Sequence, residues 1–187
     1  MLRHPDLLAI AHALDAASAR LATLAARLDA AAWSARRDPQ AWSAAECVAH
    51  LVLTTDVYLP LMRGALHDAP PAAPPARYRC DPVGWLVARA AGPLPRIAGA
   101  RRGRVRTAAA FVPGGDWPQH ECLARFASGQ QQLHAMLAQG EQRRLDRARL
   151  RSPFPPHPHY SVYSALVILP RHQARHLSQA EDLWPPS

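Results

Sequence analysis

Apolar positions near the N-terminus recur at spacings of three and four. Leu7, Ala11, Leu14, Ser18, Leu21, Ala25 and Leu28 share one side of a 3.6-residue repeat, so an amphipathic helix is predicted from Pro5 to about Leu28. Pro5 suits that start, because the first turn of a helix has no partner for a backbone N–H. The stretch "SARRDPQAW" breaks the pattern. In "WSAAECVAHL", Ser43 stands three residues before Glu46. That is the capping-box spacing, in which each side chain satisfies the other residue's backbone donor, and it predicts a second helix running to about Leu66. Pro60 lies inside this helix and is expected to kink it. A third helix is predicted from about Pro118 to Gln142, with Leu123, Phe126, Gln130, Leu133 and Leu137 on one face, and a fourth from about Ser161 to Leu183.

Residues 67–118 read differently. "HDAPPAAPPARYRCDP" is too rich in proline for regular helix, "PVGWLVARAA" can add a short one, and "GRVRTAAAFVP" reads as extended chain. "RSPFPPHPHY" is a second loop, ahead of the fourth helix. A connection as long as 67–118 inside a compact domain needs a structural reason, and carrying the chain back to the starting end of a bundle supplies one. No strand pattern and no internal repeat stands out. The expected fold is therefore all-α: a four-helix bundle with a long crossover between helices two and three, with residues 1–187 as a single domain.

Composition narrows the class. The chain is 49% hydrophobic, and no stretch is read as a membrane span. Asp6 and Asp15 interrupt the N-terminal region, which shows no cleavable apolar segment, so no signal peptide is expected. Cys47, Cys80 and Cys122 are far apart and form no CxxC, which disfavours a disulfide framework and a thiolate zinc site and points to a reducing cytoplasm. The net charge of +8 is carried by 22 basic residues, every one of them Arg. With abundant Ala and 19 Pro, that bias looks like GC-rich coding and says little about a partner. The basic run "RIAGARRGRVR" (96–106) has no interleaved aromatic residue and no accompanying nucleic-acid motif, so it reads as a solvated loop and no specific nucleic-acid partner is expected.

The candidate chemistry lies in the histidines. "ILPRHQARHLSQAEDL" places His172 and His176 one helical turn apart. The apolar stripe of the fourth helix is Val162, Leu166, Leu169, Ala180, Leu183 and Trp184; His176 falls near its middle and His172 towards its edge, with Gln179 beside His172. Imidazoles at i and i+4 project to one side and can share a metal ion, although the same placement also suits hydrogen-bonded core histidines. Pro170 precedes the pair and leaves its spacing intact. The best third ligand is His50. The second helix is apolar almost all round, with one stripe of Val48, Thr55, Leu59 and Met62 and another of Val57 and Leu61 with Glu46 and His50, while Asp56 and Arg63 mark its charged side. Such a helix touches two neighbours, so His50 can face the fourth. His12, His134, His157 and His159 read as solvated or packing residues.

Three segments carry a resemblance: "WSAAECVAHL", "RVRTAAAFVPGGDWPQHECLARFASGQQQLHAML" and "SPFPPHPHYSVYSALVILPRHQARHLSQAEDL". In this order, and over nearly the whole chain, they resemble the DinB-like superfamily. The most specific parts are the Trp-Ser entry to helix two with its downstream His, and the C-terminal His-x-x-x-His-Leu-x-Gln. The resemblance implies a four-helix bundle with a long crossover, often a homodimer. It also implies one divalent metal ion (zinc, nickel or iron) held by His50, His172 and His176. Pro170 departs from the helix-friendly residue expected at its place.

Relatives of that superfamily include S-transferases that use low-molecular-weight thiols and members described as metal-dependent hydrolases. The resemblance therefore implies a metal-dependent thiol transferase or hydrolase acting on a small, electrophilic compound; the alternative is a non-catalytic helical module that binds a metal or ligand. Three neutral imidazoles leave a coordination position open for water or substrate. Glu46, one turn before His50, is a candidate general base or orienting group, or else serves only the helix cap. Gln179 is a candidate to orient His172 or touch substrate, or else a polar boundary residue. The expected partners are a small-molecule substrate, a low-molecular-weight thiol and a second copy of the chain, to which the apolar excess on helices one and two also points; no membrane is expected.

Overall fold

A computed structural model describes residues 2–37, 39, 41–69, 72–93, 96–97, 100–101 and 107–184. Six helices are present among them: α1 (Pro5–Arg27), α2 (Ala30–Ser34), α3 (Ala44–Asp68), α4 (Pro82–Ala91), α5 (Gln119–Gly140) and α6 (Val162–Leu183). The four predicted long helices are α1, α3, α5 and α6, and local chemistry sets their ends. At α3, Ser43 Oγ accepts from the Glu46 N–H at 3.2 Å while the Ser43 N–H donates to Glu46 Oε2 at 2.9 Å, a complete capping box. At α6, Ser161 Oγ accepts from the Ser164 N–H at 3.1 Å. Helix α3 runs on through Pro60 and α6 through Pro170.

Helices α1 and α3 occupy opposite corners, each packed on both α5 and α6. Their directions follow from side-chain bonds. Gln119, at the start of α5, donates to the carbonyls of Ala25 and Leu28 at the end of α1, so these two run antiparallel. Arg20 pairs with Glu181 near the end of α6, so α1 and α6 run parallel. Asp56 with Arg125, and Arg63 with Gln132, align α3 and α5 in one direction. Because α3 and α5 point the same way, the chain between them must travel back along the bundle, which is the predicted crossover.

The core has two apolar clusters. One gathers Leu14, Met62, Leu133, Leu137 and Leu166; the other gathers Leu24, Trp33, Val48, Leu51, Phe126 and Leu177. A polar layer lies between them, where Gln173 Nε2 donates to Gln130 Oε1 at 2.9 Å and Gln130 Nε2 donates to the Leu14 carbonyl at 2.8 Å. Helix α1 has 23 residues and is long and apolar enough to cross a membrane by length and composition, contrary to the reading of the sequence. Its Leu7, Leu14, Leu21 and Leu24 are nevertheless buried in the bundle, as in the core helix of a globular domain.

The connections hold more structure than expected. Both flanks of the second proline loop pair as a short antiparallel hairpin, β3 (Arg149–Arg151) with β4 (His159–Ser161), and Leu150 faces Tyr160 across it. Three-residue strands are too short to display a period-2 pattern, but burial of Leu150 and Tyr160 pins their register. A smaller pair, β1 (Arg96–Ile97) and β2 (Ala100–Arg101), lies in the crossover. Of the basic run at 96–106, residues 98–99 and 102–106 lie outside the described residues, and so does part of the stretch expected to be extended. Its described remainder includes one turn of 3-10 helix, Ala109–Phe111, instead of extended chain.

Helix α4 is seated on α6 by one carboxylate. Asp81 Oδ1 caps α4 by accepting from the Gly84 N–H at 3.0 Å, and its Oδ2 accepts from the Ser161 N–H and Ser164 Oγ, both at 2.8 Å. Gly84 permits the contact, since a Cβ there would lie 2.2 Å from the Ser164 side chain.

Candidate metal centre

The capping box fixes where α3 starts, and His50 follows two turns later on a helix whose flank lies against the antiparallel α6. From α6, His172 and His176 meet it. One ring nitrogen from each of His50, His172 and His176 lies within 4.8 Å of the others, and the Nε2 atoms of His50 and His172 are 3.2 Å apart. Two ligands of a single tetrahedral ion, each bonded at about 2.0–2.1 Å, stand roughly 3.3 Å apart. The ring centroids are 4.5–5.0 Å from one another.

The tautomer of His50 is settled by its partner. Its Nδ1 lies 2.8 Å from the Phe111 carbonyl oxygen, which can only accept, so Nδ1 carries the proton and Nε2 is left with a free lone pair. The carbonyl is available because Phe111 ends the single turn of 3-10 helix on the crossover. The Phe111 ring stacks on Phe154, with centroids 4.1 Å apart, which ties both loops to the centre. On His172 and on His176, Nδ1 is buried with no hydrogen-bond partner among the described residues. Each such atom costs about 1–3 kcal/mol when unsatisfied, so the cluster is incomplete as a purely structural arrangement.

All three imidazoles are held neutral. Burial is the main cause, and it lowers His50 and takes His172 well below its ordinary value. The other histidines and the Arg175 guanidinium add to the shift at His172. His176 is lowered to about 3 by burial, then by His50 and Arg175, against a hydrogen bond to Gln179 that acts the other way. A neutral imidazole is the form that ligates a metal ion. Donor type, tautomer, protonation and spacing all fit one divalent ion.

The centre opens into a cleft of about 1290 Å³. Its walls include Trp42, Tyr58, Val87, Phe154 and Leu169, with Arg175 and Gln179 from α6 beside the histidines. Trp42, the residue before the α3 cap, stacks near His176 at 5.9 Å between centroids and tilts against His50 at 5.0 Å. A separate hollow of about 480 Å³ on α1 and α5 holds none of these groups.

The other expected residues fall in different places. Gln179 lines the cleft and lies close enough to His176 to influence it. Glu46 is committed to the capping box and to Arg36, whose Nε donates to Oε2 at 2.8 Å. Partial burial pushes its carboxyl up, but the bonds from Arg36 and Ser43 outweigh this and leave it below its ordinary value. Between the two roles left open for Glu46, the geometry occupies it with the cap. Cys47 also lines the cleft, and burial pushes its thiol up to about 12, so it stays protonated. His134 pairs with Asp15 at 3.0 Å, away from the centre. Trp42, Phe154, Arg175 and the Phe111 carbonyl belong to the site without a local sequence signal that marks them as such, Trp42 showing only as part of the Trp-Ser motif.

The family model of the DinB superfamily matches residues 13–180. The chain belongs to the DinB superfamily. No curated protein and no solved structure matches it. The match extends from within α1 to the last turns of α6, so all three histidines lie inside the DinB superfamily region of the chain.

Proposed function

We propose that this DinB superfamily chain is a metal-dependent enzyme, a thiol S-transferase or a hydrolase, acting on a small molecule bound in the cleft. The observation that carries the reading is the convergence of three neutral, buried imidazoles at the floor of a cavity of about 1290 Å³. A structural site closes its ion with four protein ligands, whereas three leave a position for an exchangeable one. A divalent ion bound by His50, His172 and His176 would supply a Lewis acid that brings the pKa of a water down to about 7, or holds a thiol as thiolate.

The chain's own residues do the rest. The Phe111 carbonyl orients His50 and fixes its donor nitrogen. Gln179 steadies His176, which supports a positioning role for it. Trp42 and Phe154 shield the imidazoles on the cleft side and give an apolar wall for the body of a substrate. Glu46 contributes by starting α3 at a fixed residue, and through it the register of His50.

We also propose a homodimer. Val83, Trp85 and Leu86 on α4 are 40%, 58% and 61% exposed, and Val57 and Leu61 on α3 are partly exposed as well, an apolar surface that a second copy would cover. Three free cysteines suit a cytoplasmic setting. The test is a turnover screen of metal-loaded protein with low-molecular-weight thiols and small electrophiles, and with small hydrolysable esters and amides. Turnover abolished by a chelator and restored by metal supports the enzyme; stoichiometric metal without turnover of any of them favours the non-catalytic binding module.

A further inference from the structure

Arg175 has a residue exposure of 6%, on the wall of the cleft and one position before His176. Its Nη1 donates to the Ala90 carbonyl at 3.1 Å, near the end of α4. Its Nε is buried with no partner among the described residues. Among the described residues no carboxylate pairs with it. Asp182 is the single acidic residue among the described residues of the lining, and it is otherwise engaged.

The bland explanation is a C-terminal cap for α4. Arg171 already serves there, donating from Nε to the Ala88 carbonyl at 2.8 Å. A cap also does not call for a buried Nε without an acceptor, which is a costly arrangement for a side chain that cannot shed its proton. A divalent ion held by the three histidines would place further positive charge beside it. An anion in the cleft would offset both.

We infer that the cleft binds a small organic carboxylate with an apolar body, its head paired with Arg175 and its body against Trp42, Tyr58 and Phe154. The inference rests on the reading of this cleft as a substrate site and names the chemical class of that substrate. A single guanidinium matches a single negative charge, and its planar fork matches the two oxygens of a carboxylate. The aromatic and aliphatic lining favours a short alkyl or aryl group as that body.

The test is isothermal titration of the full chain with 3-phenylpropionate and with its neutral counterpart 3-phenyl-1-propanol, after dialysis against a chelator and again after zinc loading. Wild-type protein is expected to prefer the acid on the order of tenfold in both states. Arg175→Met, which keeps an apolar side chain of similar length, should lose the preference, and Arg175→Lys should keep part of it; circular dichroism and zinc content verify that both variants fold and retain the histidine site. No binding of the acid at millimolar concentration, equal binding of acid and alcohol, or a preference that survives Arg175→Met overturns the inference. A preference seen only with zinc and indifferent to Arg175 would assign the carboxylate to the metal and overturn it too. Because the chelated state is read separately, failure of the histidines to bind metal leaves the Arg175 result readable.

Discussion

Replacing Asp81 with alanine should loosen the seat of α4 and, with it, one wall of the cleft. The carboxylate accepts three hydrogen bonds, from the Gly84 N–H, the Ser161 N–H and Ser164 Oγ, at 2.8–3.0 Å. Bonds to a charged acceptor contribute about 1.5–3 kcal/mol each when well buried. Asp81 is only partly buried, so solvent screening reduces this to about 1 kcal/mol per bond and roughly 3 kcal/mol in total. For a chain of this size that is a fall in Tm of about 6–12 °C. Asp81→Asn should fare little better, because an amide NH2 in place of Oδ2 turns a donor toward the Ser161 N–H. The effect must also depend on pH. Burial on its own would raise the Asp81 carboxyl, but the bonds from Ser161, Gly84 and Ser164 prevail and hold it below its ordinary value. The folded state therefore binds fewer protons than the unfolded state, and the stabilisation is complete above the unfolded value of about 3.9 and lost as the pH falls through the folded one. Urea unfolding followed at 222 nm should show the gap between wild type and Asp81→Ala at pH 7 narrowing toward pH 3. A difference below about 0.5 kcal/mol at pH 7, or a gap that widens in acid, refutes the reasoning.

Gly84→Ala should cost about 1–3 kcal/mol, because its Cβ would meet the Ser164 side chain at 2.2 Å, whereas Gly64→Ala in α3 meets nothing within 4 Å and should stabilise by up to about 1 kcal/mol; thermal melts of the two compare them directly. In the presence of a chelator, stability should fall as the pH drops from about 6.5 toward 3, since His176 is lowered to about 3 when folded and the unfolded chain takes up the proton first. His176→Gln should flatten that slope in urea titrations, and an unchanged slope counts against the depressed histidine. Light scattering at micromolar concentration should report a dimer, converted to monomer by Trp85→Asp with Leu86→Asp; a wild-type monomer ends the dimer proposal.

What could be read from the sequence was whatever local spacing encodes. Ser43 with Glu46 and Ser161 announce helix starts through bonds made within three residues, Pro5 does so through its fixed φ and missing N–H, and the structure places the helices there. His172 and His176 were legible because helical geometry alone puts them on one side. His50 was a permitted partner, since its helix carries apolar residues on two faces, and its meeting with α6 depends on the packing of α3 against α6. Other parts had no local signature. The group that orients His50 is the backbone carbonyl of Phe111, which any residue would supply. Asp81 followed by Pro82 reads as a helix start, but its two further bonds, to Ser161 and Ser164, join positions eighty residues apart or more. Arg175 looked like one arginine among 22, and burial alone sets it apart.

The most direct test of the account is the metal content of the protein purified without a histidine tag, measured by inductively coupled plasma mass spectrometry alongside four variants. Wild-type protein should carry close to one divalent ion per chain, most of it lost in His50→Ala, in His172→Ala and in His176→Ala. His134→Ala, which disturbs only the pair with Asp15, should keep it. Because the ion binds the folded chain in preference to the unfolded one, its removal should also lower the Tm of wild type and leave the three metal-poor variants unmoved. Full occupancy in His50→Ala beside loss in His172→Ala would break the three-histidine site as described, and a wild-type protein that never takes up a metal would contradict the central claim.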